Sequence, residues 1–111
     1  MLNVRFLIDT GSWEVSLGSL DARRLQQELG IEVSSLPVDP DRYGGIGGHV
    51  DCRVVDARVW LGPKSFDVPL KVLQPHQDGE PRLPSLLGRR ILSEYILIAA
   101  WPTNEVGLYL G

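Results

Sequence analysis

The stretch from Val55 to Val72 constrains the fold more than any other. Val55, Ala57, Val59 and Leu61 alternate with Asp56, Arg58 and Trp60; the pattern breaks at Leu61-Gly62-Pro63-Lys64 and resumes as Phe66, Val68, Leu70 and Val72. Side chains on a strand alternate between faces, so each run reads as a half-buried strand, and the Gly-Pro pair between them reads as a hairpin turn. Upstream, Val50, Cys52 and Val54 alternate on the opposite phase. His49 to Leu61 is therefore predicted as one long strand, with a bulge or sharp bend between Val54 and Val55.

The rest of the chain follows the same style. Leu2 to Ile8 is rich in strand formers and stops abruptly at Asp9-Thr10-Gly11-Ser12; Trp13 to Leu17 resumes an extended apolar pattern. Ser19 to Gly30 is the one clear amphipathic helix, with Ser19 as its cap, Ala22, Leu25 and Leu29 on one face, and Gly30 at the C′ position. Leu36 to Arg42 and Gln74 to Pro84 read as loops. Leu86-Leu87-Gly88 ends a short buried strand, and Arg89 to Glu94 supplies one or two helical turns. Tyr95 to Trp101 and Val106 to Leu110 form a last hairpin around Pro102-Thr103-Asn104-Glu105. The 12 glycines and 8 prolines are dispersed as punctuation, and strands follow one another without alternating helices, which argues for a mostly β chain and against a doubly wound α/β sheet.

With 111 residues, the expectation is a single domain spanning 1–111, too short for a TIM barrel of about 250 residues. At 43% hydrophobic residues the chain is too apolar to be disordered, and its net charge of −3 offers no general attraction to nucleic acid or an anionic membrane. The single Cys52 forbids an intrachain disulfide and fits a reducing compartment. Arg5 and Asp9 interrupt what would be the apolar core of a signal peptide, and Tyr95–Trp101 falls far short of the ~20 residues of a membrane span, so the expected location is the cytoplasm. His49, Cys52 and His76 do not make a metal site: on a regular strand His49 and Cys52 point to opposite faces, and there is no second Cys pair. No metal or other cofactor is expected.

Two motifs carry chemistry. Asp9-Thr10-Gly11 at the end of a strand reads either as an ordinary Asx turn or as a carboxylate displayed on a tight loop. Gly44-Gly45-Ile46-Gly47-Gly48 is not a phosphate cradle, because it lacks the Lys-Ser/Thr ending and no helix follows it; it reads as a hairpin tip.

Taken in order, Phe6-Leu7-Ile8-Asp9-Thr10-Gly11-Ser12, then Gly44 to Gly48, then Leu86-Leu87-Gly88-Arg89-Arg90-Ile91-Leu92 resemble the three signature segments of the retropepsin-like aspartic proteases, especially the small bacterial kind. The helix ending Leu29-Gly30-Ile31 also matches those members. The resemblance implies an all-β, closed barrel-like fold with one or two short helices. It implies an aspartic endopeptidase that acts on peptide or protein substrates as a homodimer, without cofactor. Asp9 of each chain would be catalytic; Thr10, Gly11 and Ser12 would shape its loop, with Thr10 bracing the partner's loop and the Ser12 hydroxyl bonding the carboxylate. Gly44, Gly45, Ile46, Gly47 and Gly48 would be the flap that covers substrate. Leu87, Gly88 and Arg89 would be structural, with Gly88 packing beneath the active loop and Arg89 in an ionic contact near the dimer interface.

The sequence departs from the family at three points. Glu14 is the only acidic candidate to partner Arg89; Arg90 replaces a commoner Asp or Asn; and only Met1 to Ile8 precede Asp9, where members normally carry a further strand. Dimerisation is therefore expected through the C-terminal hairpin, unless the chain is truncated. The alternative reading is a non-catalytic retropepsin-like module for dimerisation or peptide binding.

Overall fold

The computed structural model describes residues 1–40, 43–45, 48–50 and 52–110. Its centre is a mixed five-stranded sheet in the order β1-β7-β2-β6-β5, made by β1 (Phe6–Ile8), β2 (Val15–Leu17), β5 (Arg53–Leu61), β6 (Lys64–Val72) and β7 (Ser85–Leu87). Helix α1 (Ser19–Leu29) follows β2, and the short α2 (Arg89–Leu92) follows β7. Two further ribbons stand outside this sheet: β3 (Tyr43–Gly45) with β4 (Gly48–Val50), and β8 (Tyr95–Ala100) with β9 (Glu105–Leu110). Among the described residues no helix is long and apolar enough to cross a membrane.

The predicted hairpin is the longest unit. β5 and β6 pair antiparallel from Arg53↔Val72 to Leu61↔Lys64, leaving Gly62-Pro63 as a two-residue loop. Gly62 has φ +61°, and the proline ring fixes the next φ near −65°, the combination of a type II′ turn. The register runs without interruption, so the bulge expected between Val54 and Val55 is absent. The segment before β3 lies along the outer edge of this end of β5, where Val38 bridges Arg53 and the Val54 N–H donates to the Pro37 carbonyl at 2.9 Å. Val54 is half-buried and pairs with the buried Lys71, so the second face of the sheet is not open to solvent there, and β4 ends at Val50 whereas β5 begins at Arg53.

The sheet is open, not the closed barrel that was expected. β1 and β5 are its two edges, and the remaining strands pair off as separate ribbons, so five strands are left where a small closed barrel uses about eight. Its core lies on one face. Val15, Leu17, Leu70 and Val72 share that face; α2 adds Ile91 and Leu92 at one end, and α1 adds Ala22 and Leu25 at the other, where Val33 completes the cluster. Leu29, expected on the buried face, is 43% exposed because the cluster beneath α1 ends at Leu25 and Val33.

Ser19 is not the cap of α1 but its first residue; the cap position is Gly18, with no side-chain cap bond. The Ser19 hydroxyl instead accepts the Leu83 N–H at 2.9 Å. A side chain at residue 18 would run into the Leu83 and Pro84 backbone, and this close approach explains the glycine. Gly30 closes the helix with φ +66°, as the sequence implied.

Ser85 ties α1 to the sheet. Its buried hydroxyl accepts the Gly18 N–H at 2.8 Å and donates to the Asp21 carboxylate at 2.6 Å. Ser85→Ala removes both bonds and leaves a buried N–H without a partner, a loss of about 1–3 kcal/mol. Thermal denaturation of the variant measures it directly; an unchanged melting temperature would mean that water replaces the hydroxyl.

Candidate active site

β1 delivers Asp9. Phe6, Leu7 and Ile8 pair in parallel with Ser85, Leu86 and Leu87, and the Asp9 N–H continues the ladder by donating to the Leu87 carbonyl at 3.0 Å. The chain then turns. The Ser12 N–H donates to the Asp9 carbonyl at 3.2 Å, and the Gly11 N–H donates to the Asp9 carboxylate oxygen Oδ1 at 3.0 Å. Asp9 is half-buried, Thr10 and Gly11 are exposed, and the surrounding apolar side chains Leu7, Ile8 and Trp13 also reach solvent.

The segment after β7 holds this loop from beneath. A Cβ on Gly88 would lie 2.8 Å from the Ser12 carbonyl oxygen and from the Trp13 carbonyl carbon, and closer still to the Glu14 oxygen. With no side chain there, the start of α2 presses on the loop and its free N–H groups find acceptors in it. The Arg89 N–H donates to the Ser12 carbonyl at 2.8 Å, and the Arg90 N–H donates to the Trp13 carbonyl at 2.9 Å. The Arg89 guanidinium reaches further and donates to the Thr10 carbonyl at 2.7 Å.

Sequence reasoning placed Asp9 to Ser12 and Leu87 to Arg89 in one site, and the structure brings these segments together. The details differ. Arg89 takes a main-chain carbonyl, whereas Glu14 pairs with Arg90, whose Nε and Nη2 both reach the carboxylate at 3.3 Å. The Arg90 guanidinium also lies over the Trp13 ring, 5.3 Å from its centroid. The Arg90 position, which looked like a departure, is thus matched by Trp13 and Glu14, and the signal was the aromatic-acid pair directly after the loop. The Ser12 hydroxyl donates to the Glu14 carbonyl at 3.5 Å instead of to the Asp9 carboxylate.

Of the glycine segment, Gly44, Gly45 and Gly48 lie on two antiparallel strands with Gly44 opposite His49 and Gly45 opposite Gly48. Ile46 and Gly47 lie outside the described residues. Cys52 is buried, with its thiol 3.4 Å from Asp39 Oδ2. Among the described residues no three His, Cys, Asp or Glu side chains converge as metal ligands.

Gly88→Ala tests the packing. The added methyl meets main-chain atoms that cannot swing aside, so the loop must move, at a cost of about 2–3 kcal/mol. Amide resonances of Asp9 to Glu14 are expected to shift while those of the β5–β6 hairpin stay in place.

This fold is similar to that in a crystal structure of a retropepsin-like aspartic protease from Rickettsia conorii, with a TM-score of 0.63 over 96% of this chain and 74% of that one, at 21% sequence identity. No protein-family model matches the chain, and no curated protein matches it. The likeness is one of fold: mostly β, with a mixed sheet and two short helices.

Proposed function

We propose that the chain is one half of an aspartic endopeptidase. The observation that carries this reading is the Asp9 turn: a carboxylate on a tight, partly exposed loop, clamped from below by Gly88 and Arg89, on a fold similar to a retropepsin-like protease. One chain supplies one such carboxylate. Two copies related by a twofold axis would set Asp9 against Asp9, and like charges at close range cannot both ionise, so the pair would share a proton. The ionised carboxylate would take a proton from water as the water oxygen attacks the peptide carbonyl carbon. The protonated carboxyl would give its proton to the carbonyl oxygen, forming a tetrahedral diol; the C–N bond would then break as the first carboxyl passes the water's proton to the leaving amine and a diol hydroxyl returns a proton to the second carboxylate. The hairpin carrying Gly44 to Gly48 would close over the substrate and exclude water.

Two further observations support a twofold assembly. Thr10 is exposed on the same loop as Asp9. The β8–β9 ribbon stands apart from the main sheet with Ile96, Ile98 and Tyr109 half or more exposed on one face. A lone two-stranded ribbon is marginal in water, and an apolar face of this kind is the mark of an association surface.

A second reading is favoured by one contact. The Gly11 N–H bond to Asp9 Oδ1 is also what a plain Asx turn makes, so the same loop suits a non-catalytic module that dimerises or binds peptide.

The test is cleavage of an unstructured peptide library by the parent and by Asp9→Asn. Asparagine keeps the size but cannot share an acidic proton, so activity falls at least about a hundredfold with fold and assembly intact. The parent's rate is bell-shaped in pH, because one proton must reside on the pair. A stable dimer that cleaves nothing would favour the binding module.

Assembly is tested separately. Ile96→Asp with Ile98→Asp places charges on the exposed face of β8, and sedimentation is expected to show the parent dimer dissociating. A parent that is monomeric at every concentration would remove the peptidase reading.

A further inference from the structure

Away from the Asp9 loop, one group of buried polar side chains is left unused by that chemistry. Lys71 and Asp39 are both buried, and Lys71 Nζ stands 2.7 Å from Asp39 Oδ2. The same oxygen accepts the Cys52 thiol at 3.4 Å, and the Asp39 N–H donates to the Cys52 carbonyl at 3.0 Å. Three pieces of chain therefore meet at one carboxylate oxygen: the strand-like segment Pro37–Asp39 that leads into β3, Cys52 on the way out of β4, and β6.

The position of these pieces is what matters. Pro37–Asp39 and Cys52–Val54 are the two legs of the glycine-rich hairpin, joined to each other by the Val38–Arg53 bridge and the Val54 N–H bond to Pro37. Lys71 lies in register between Val54 of β5 and Ser16 of β2. β2 is the strand that leaves the Asp9 loop, and Glu14 at its head adds to the field on Lys71. The ion pair thus connects the legs of the hairpin to β6, the strand paired with the one that leaves the loop. Burial by itself would pull the Lys71 ammonium down, but the hydrogen bond and charge of Asp39, with Glu14 and Cys52 adding, hold it above its ordinary value.

A buried ion pair is a poor choice for stability alone. Apolar residues of the same volume often hold a fold as well or better, because they avoid the desolvation of two charges. What an ion pair adds is a fixed direction, since it must keep its 2.7 Å geometry while an apolar contact can slide.

We propose that Lys71 is a positioning residue for the Asp9 site: through Asp39 it fixes where the legs of the glycine-rich hairpin stand relative to the strand leaving the Asp9 loop. This assignment rests on the peptidase reading above.

The test compares the parent dimer with Lys71→Met, Lys71→Arg and the double variant Asp39→Leu/Lys71→Met. Lys71→Met takes the ammonium away from the buried Asp39 carboxylate and is expected to lower the melting temperature. The double variant removes both charges and is expected to melt near the parent. Its kcat/KM for a cleaved peptide is nevertheless expected to fall about a hundredfold, mostly through KM, because the hairpin that contacts substrate is misplaced. Amide exchange at Asp39 and Val54 speeds up in the double variant while exchange in β8 and β9 does not change. Lys71→Arg keeps the charge and restores part of the activity. A double variant with the parent's melting temperature, KM and exchange at Asp39 and Val54 would overturn the proposal and leave the pair as packing. If the parent itself cleaves nothing, the peptidase reading fails; exchange at Asp39 and Val54 then decides by itself whether the pair anchors the hairpin, and an unchanged pattern overturns that too.

Discussion

The Asp9 loop has no secondary structure of its own to hold it. It stands because the chain at Gly88 passes so close beneath it that no side chain fits between. That single approach brings the first N–H groups of α2 onto the Ser12 and Trp13 carbonyls and sets the Arg89 guanidinium on the Thr10 carbonyl. Helix ends and turns both expose unpaired main-chain groups; here each supplies the partners of the other. The parallel pairing of β1 with β7 is the long-range requirement, because it is what puts residues 9 and 88 side by side.

The sequence was most informative where one physical rule acts alone. Period-two alternation and a Gly-Pro turn revealed the β5–β6 hairpin, and Gly30 marked the end of α1. It misled where two rules overlap. Val54 looked out of phase because alternation assumes one wet face, whereas at this end of β5 the second face is also partly buried, at Val54 and its partner Lys71. Ser19 has the chemistry of a cap, but its hydroxyl is engaged by a residue 64 positions away, which no local pattern reveals. The closed barrel failed for a similar reason: alternation says that strands pair, not which strands remain as edges.

Within the site, residue types were legible and partnerships were not. Arginines 89 and 90 are adjacent, and the sequence alone does not say which one meets Glu14. The geometry decides it, because α2 turns successive side chains about 100° apart and only Arg90 lies over Trp13. The buried pair Lys71–Asp39 was invisible for the same reason that Val54 misled. A lysine on the polar phase of a strand reads as solvated until the segment that carries Asp39 is placed beside it.

The contact between Arg89 and Thr10 spans 79 residues of sequence. Contacts of such range close late, since the intervening chain must be ordered before they are made. The β5–β6 hairpin, by contrast, joins neighbours through a two-residue turn and needs nothing else to begin. The scaffold hairpin can therefore begin on its own, whereas the Asp9 loop needs residues 85–90 before its clamp can close. During synthesis a chain that stops short of residue 85 therefore carries the aspartate but not its clamp, and the loop acquires its shape only after residues 85–90 have left the ribosome.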